Sequence, residues 1–283
     1  MAVPAIKALQ LQFPDAIIDI LVGTTPDDIG AYQILSRVVG HQGKIYASSA
    51  FERHYDIAIM AIPFDGRWKN GMHFNADIVI DGRTRPDPST TGLVSWKRHE
   101  VEYQMDNVRG LGFDKVIPNC SFLPKEAPDL NSVYVGLGYK KDAAGFWKVK
   151  HWGNENYSEF IKMFLNEFPN KKIITTGDMM DMKLSIGPIS RLVLNKRFEF
   201  KVSSTLDEAL KTVASCGTYV GNDTGMMHVA ASCNRKTVGL FFMENSIVKS
   251  HPWCEARYDI DGSKNREEIT PKFVFDHIAY TIS

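Results

Sequence analysis

A chain of 283 residues, 44% hydrophobic and 23% charged, can bury one large or two medium domain cores. Lys plus Arg equals Asp plus Glu at 33 each, so no overall field draws the chain to nucleic acid or to an anionic membrane. Cys120, Cys216, Cys233 and Cys254 are widely spaced, with no C-x-x-C and no histidine at ligand spacing, which argues against a disulfide framework or a zinc site and for reduced thiols in a cytoplasmic protein. No apolar run reaches the roughly 18 residues of a bilayer span, and no basic-then-apolar leader opens the chain, which supports the same expectation.

In chain order, Val3, Ile6, Leu9 and Phe13 recur at helical spacing until Pro14-Asp15, and residues 17–22 read as a buried strand. A helix over 28–39, a strand over 55–61 with a Gly-containing loop at 63–71, and a short strand at 78–80 follow. Residues 83–91, rich in Pro, Ser and Thr, read as an exposed loop, and a helix is expected from 95 to about 110. Pro118, Pro124 and Pro128 mark an interdomain connection over 118–131. Beyond it come a strand (133–137), a basic loop (140–149), a helix (156–168), strands (171–176 and 198–202) and a final amphipathic helix from Thr270.

The most informative stretch is the end of this half. An apolar run at 218–221 meets Asn222-Asp223-Thr224-Gly225, a helical pattern carries Met226, Met227, Val229 and Ala230, and a second apolar run closes at 237–242. Strand, polar turn, short helix and strand make a βαβ unit, whose turn lies where open α/β sheets bind ligands. Asp223 or Thr224 can cap the helix, Gly225 lets a ligand approach the backbone, and the amides of Thr224 to Met226 suit a phosphate. His228, one turn in, can donate a hydrogen bond or carry a proton. The plainer alternative makes Asp223 a helix cap and His228 a half-buried helix histidine. Lys150 offers a compact cation just ahead of a helix, or else a solvated lysine of a basic loop; Trp152 reads as a packing residue. No D-x-D has the strand context of a metal-diphosphate site, and Asp178 and Asp181 fit a loop or helix start.

These pieces resemble the bacterial heptosyltransferases, glycosyltransferase family nine. The resemblance rests on Ser204-Thr205-Leu206-Asp207-Glu208, on Gly221-Asn222-Asp223-Thr224-Gly225-Met226-Met227-His228, on Thr237-Val238-Gly239-Leu240-Phe241, and on Lys150-His151-Trp152 as the family's K-x-W, with Gly153 where members commonly have proline. The N-terminal half adds Pro4-Ala5-Ile6-Lys7-Ala8-Leu9, Phe13-Pro14, Ile18-Asp19-Ile20-Leu21-Val22, His99-Glu100 and Leu111-Gly112-Phe113. The resemblance implies an α/β fold of GT-B architecture, with two Rossmann-like domains of mostly parallel sheet facing a central cleft. It sets an acceptor-side domain at 1–125, a nucleotide-sugar-binding domain at 126–270 and a C-terminal helix crossing back at 271–283.

The implied activity is inverting, metal-independent transfer of a heptose-like sugar from a nucleotide diphosphate to a saccharide or glycolipid, in lipopolysaccharide biosynthesis, with no cofactor and with peripheral membrane contact as an option. Lys150, Asp223 and His228 are the implied catalytic residues; Lys150, Gly177, Thr224, Gly225, Met226 and His228 are the implied donor contacts. Family members usually carry a strand and a Gly-Asp loop ahead of the first helix, whose aspartate serves as base. Neither stands in this sequence, and Asp65, in a Gly-containing loop past a strand, is the candidate substitute. Arg67, Lys69, Arg83, Arg85, Lys97, Arg98 and His99 are the other polar residues expected near an acceptor. Two alternatives stay open: a protein or modified DNA base as acceptor, with zero net charge disfavouring nucleic acid, and a non-catalytic sugar-nucleotide binder.

Overall fold

The computed structural model describes residues 2–22, 26–38, 43–47, 53–59, 75–80, 98–123, 126–138, 149–177, 189–203 and 205–282. Asp65, Arg67, Lys69, Arg83, Arg85, Lys97, the basic loop at 140–148 and the Asp178 to Met182 stretch lie outside them. The chain divides into two units, Met1–Phe122 and Leu123–Ser283.

In the first unit the described elements are α1 (Val3–Gln12), β1 (Ile20–Val22), α2 (Pro26–Leu35), β2 (Ile45–Ala47), β3 (Tyr55–Ile59), β4 (Ala76–Ile80) and α3 (Glu100–Arg109). β1 pairs in parallel with β2, and β3 with β4. The apolar stripe of α1 (Val3, Ala5, Ile6, Ala8) and that of α3 (Val101, Met105, Val108) are buried, and the two helices contact each other. The first strand is shorter than its apolar run suggests. Ile17 is exposed, and the fully buried carboxylate of Asp19 accepts from the Lys44 backbone N–H at 2.8 Å, from Arg53 at 3.2 Å and from the Tyr55 hydroxyl at 2.8 Å. Ladder pairing therefore begins at Ile20. α3 starts later than expected because His99 stops it: buried at the N-cap, its Nδ1 accepts from the Val101 backbone N–H at 3.1 Å. Arg98 pairs with Asp106 and Glu102 on the same helix. Both were expected near an acceptor; in the structure their contacts organise the start of α3.

Among the described residues the second unit holds a six-stranded, all-parallel sheet. Its elements are β5 (Asp129–Gly136), α4 (Asn154–Glu167), β6 (Lys172–Gly177), β7 (Phe198–Val202), α5 (Leu206–Ser215), β8 (Cys216–Asn222), α6 (Gly225–Ser232), β9 (Lys236–Phe241), α7 (Ser246–Ser250), β10 (Arg257–Asp261) and α8 (Pro271–Ile282). The spatial order is β10-β9-β8-β5-β6-β7. The chain leaves β5 outward to β7, then returns to the other side of β5 and runs outward again. Strand order thus reverses between β5 and β8, which is where doubly wound sheets open a crevice at their carboxyl ends.

The period of 3.6 explains the packing of α4: Tyr157, Phe160, Ile161, Phe164 and Leu165 line one face and are at most 1% exposed. They join Val133, Val135, Ile173, Val220, Val238 and Leu240 of the sheet with Val274 and Ile278 of α8 in one core. Alternate strand residues, such as Tyr134 and Tyr219, turn to the other side. Thr205 and Glu208 form a reciprocal capping box at the start of α5, which contacts β5, β6 and β8. β10 escaped the sequence reading because only Ile260 of Arg-Tyr-Asp-Ile-Asp is buried; it is an edge strand, whose charged alternate residues suit solvent.

Candidate functional site

The carboxyl ends of β5 and β8 form one structure. Val133, Tyr134, Val135 and Gly136 pair with Thr218, Tyr219, Val220 and Gly221, so Gly136 and Asn222 end side by side. The Tyr219 hydroxyl lies over Gly136, where a Cβ would collide with it, and donates to the Asn222 carbonyl at 3.0 Å. It also meets the Thr224 hydroxyl at 3.3 Å. Asn222 uses both ends of its amide: Nδ2 donates to the Leu137 carbonyl at 3.2 Å, and Oδ1 accepts from the Trp152 backbone N–H at 3.3 Å. One side chain thereby ties the turn after β8 to the end of β5 and to the segment carrying Lys150.

That segment is held from its other side as well. Arg266 donates to the Val149 carbonyl at 2.8 Å, and Trp152 Nε1 donates to the Ile269 carbonyl at 2.6 Å. Trp152 is buried, edge-on to Tyr157 with ring centroids 5.0 Å apart, which is the packing role expected of it. The next residue, Gly153, has φ of 112°, a conformation closed to proline with its φ near −65°. The chain therefore leaves the tryptophan by a route that the family's usual proline could not follow.

Between these clamps Lys150 projects onto the turn. Its Nζ donates to Asp223 Oδ2 at 2.7 Å, with side-chain exposures of 20% and 7%. The Ser250 hydroxyl, from the last turn of α7, donates to the same oxygen at 3.2 Å. His228 Nε2 stands 3.8 Å from Asp223 Oδ1, beyond hydrogen-bond range. Burial, with the Lys150 charge nearby, holds the His228 imidazole down to about 3, so it is neutral at physiological pH and suited to hydrogen bonding in preference to carrying a proton.

Of the two residues proposed as cap, Thr224 occupies the N-cap position of α6, with no side-chain cap bond, and Asp223 faces Lys150. At Gly225 an added Cβ would meet nothing within 4 Å. The first turn of α6 therefore opens onto space beside a part-buried ion pair, where backbone amides and the helix dipole favour an anion. Lys150, Asp223, Thr224, Gly225, Met226 and His228 share this corner. Gly177 ends β6 on the far side of β5, about 10 Å across the sheet at the usual strand spacing. Asp65 is outside the described residues. Asn222, Tyr219 and Ser250 were missed. Asn222 had a signal in its place beside Asp223, whereas Ser250 had none, being 27 positions away. Among the described residues, no group of three or more His, Cys, Asp or Glu is placed to hold a metal ion.

Residues 141–267, which include most of this corner, match the family model described as glycosyltransferase family 9 (heptosyltransferase). Over this part of its second unit the chain is similar to glycosyltransferase family 9. Lipopolysaccharide heptosyltransferase 2 of Escherichia coli K12 is 29% identical over 101 residues, covering 35% of this chain and 28% of that protein. Lipooligosaccharide heptosyltransferase 2 of Haemophilus influenzae is 29% identical over 103 residues, covering 35% and 29%. Each match thus spans less than a third of the curated relative's length. The fold likeness reaches further. Escherichia coli heptosyltransferase WaaC with ADP superposes with a TM-score of 0.71 at 16% identity, over 99% of this chain and 94% of that one. A family 9 glycosyl transferase from Veillonella parvula gives 0.64 at 14%, over 99% and 92%. The fold is α/β with parallel sheets, of the GT-B class. No helix among the described residues is long and apolar enough to cross a membrane.

Proposed function

We propose that this protein is a family 9 glycosyltransferase, an inverting enzyme that moves a heptose-like sugar from a nucleotide-diphosphate donor to a saccharide or glycolipid acceptor in lipopolysaccharide biosynthesis. The observation that carries this reading is the Lys150–Asp223 pair beside the open first turn of α6, at the switch point of a doubly wound sheet. The names of its relatives support it, as do the ADP and ADP-2-deoxy-2-fluoro heptose held by WaaC, a neighbour in fold.

In this reading the acceptor hydroxyl attacks the anomeric carbon, loses its proton to a base, and displaces the diphosphate from the opposite face. The bond from the anomeric carbon to the diphosphate oxygen breaks, and both its electrons leave with the diphosphate. The Lys150 ammonium and the amides of Thr224 to Met226 stabilise that growing charge. Asp223 orients the lysine, and neutral His228 offers a hydrogen bond to the sugar or the phosphate. Asp65 is our candidate for the base.

Isothermal titration with ADP-heptose, UDP-sugars and bare nucleotides tests the donor site, and donor turnover with and without saccharide acceptors tests the transfer. Micromolar binding of one sugar nucleotide, lowered about thirtyfold in Lys150→Ala and also weakened in Asp223→Ala, is the expected result. Unchanged binding by both variants would remove the assignment. Binding without turnover on any acceptor would make the protein a sugar-nucleotide binder.

A further inference from the structure

We infer that Ser250 is a positioning residue of the donor site: its hydroxyl holds Asp223 so that Lys150 stays available to an anion. The inference rests on the donor-site reading above and extends it to a residue on a different element, α7.

Asp223 is buried, and among the described residues the side chains that face its carboxylate are Lys150, Ser250 and His228. His228 is too distant to donate. Lys150 and Ser250 bond the same atom, Oδ2. They differ in what can happen to them. Lys150 is on a long side chain, 20% exposed, beside the open turn at Gly225, and an ammonium has three donors to divide between a carboxylate and an arriving anion. Ser250 is buried, on a short side chain fixed in the last turn of α7. It is the partner whose oxygen stays in place.

The hydroxyl has one proton and two acceptors in range, Asp223 Oδ2 at 3.2 Å and the Ser246 carbonyl at 2.9 Å. A hydrogen bond to an ionised oxygen is the stronger of the two, so the carboxylate draws the proton. Each increment of charge that Ser250 offsets is charge that Lys150 need not neutralise. When a diphosphate arrives, Lys150 turns part of its donor capacity to it while Oδ2 keeps the serine bond. Without that hydroxyl a buried carboxylate would depend on Lys150 alone and hold it back from the ligand, since a desolvated anion with too few donors is costly.

The test measures donor-nucleotide affinity and steady-state kinetics for Ser250→Ala, Ser250→Thr and Ser246→Ala, each also in an Asp223→Asn background. Ser250→Ala is expected to weaken sugar-nucleotide binding about tenfold, the scale of one hydrogen bond to a charged group, raising KM more than it lowers kcat. Ser250→Thr, which keeps the hydroxyl, restores most of it. Ser246→Ala, which alters α7 but leaves its carbonyl, binds like wild type. In Asp223→Asn, removal of Ser250 has no further effect. An equal loss in both backgrounds, or no recovery in Ser250→Thr despite a folded protein, would overturn the role. Should wild type bind no sugar nucleotide, the donor reading itself fails. The Lys150–Asp223–Ser250 relay is then judged from the Lys150 side-chain ammonium NMR signal, which the inference requires to shift in Ser250→Ala and not in Ser246→Ala.

Discussion

Two aspartates with buried side chains sit at opposite ends of strands, and the proposed donor site gives a role in binding to only one of them. Asp19, just before β1, is sealed by a backbone amide, an arginine and a tyrosine hydroxyl that bind β2 and β3 to it. Burial and the bond to Asp19 push the Tyr55 phenol up, as expected of a group fixed beside an anion. Asp223, just after β8, is held by a serine and by a partly exposed lysine next to open space. Both carboxylates are satisfied. Burial and ion pairing therefore do not separate structure from function; what separates them is whether a partner can be shared with something that is not part of the chain.

The comparison can be broken most directly at Asp19. Asp19→Ala removes the acceptor shared by the Lys44 amide, Arg53 and the Tyr55 hydroxyl and should cost about 3 kcal/mol of stability, read by chemical denaturation, with sugar-nucleotide binding by the folded fraction retained. Lys150→Ala is the opposite case. It should lower donor affinity about thirtyfold, while stability falls by less than in Asp19→Ala because Ser250 still donates to Asp223 and water can enter the vacated space. A Lys150→Ala protein that unfolds, or an Asp19→Ala protein as stable as wild type, would erase the distinction.

Gly225→Ala sharpens it further. A methyl there meets no atom of the chain, so thermal stability should hold or rise slightly, yet it would stand where an anion approaches the α6 amides. Calorimetry should show donor affinity down about tenfold, the scale of one weakened charge-assisted hydrogen bond. Unchanged affinity would move the anion off this turn.

The remaining test is in pH. Folding lowers the His228 value from 6.5 to about 3, so above pH 6.5 both states are neutral and stability is complete. Below 6.5 the unfolded chain binds the proton first, and stability is lost as pH falls toward 3. One such group contributes a slope of up to about 1.4 kcal/mol per pH unit. His228→Asn should flatten the stability profile between pH 6 and 4 by part of that slope. Some slope remains from His151, which burial and then the Arg266 charge hold down to about 4.

Most of the second unit was legible because its strands are buried on both faces and read as apolar runs, while α4 and α5 carry clear one-sided stripes. β2 and β10 were not, since three residues or one buried side chain give no period to detect. At the site, the turn after β8 was visible as a local pattern, Asn-Asp-Thr-Gly ahead of a helix. Its supports were not. Arg266 on Val149, Trp152 on Ile269 and Ser250 on Asp223 each join positions 27 to 117 apart in sequence, and no local rule links them.

The amino-acid order alone determined the alternation of strands and helices, the anion-suited turn at Asp223 to Gly225, and the K-x-W segment as its companion. Only the tertiary structure decided that Thr224 and not Asp223 stands at the helix N-cap, that the aspartate faces Lys150 and Ser250, and that Asn222 locks two strand ends together. The physical reason is one of range. Helix, strand and turn preferences arise from neighbours along the chain, whereas the charge on a buried carboxylate is answered by whatever donors the packed sheet brings within about 3 Å of it.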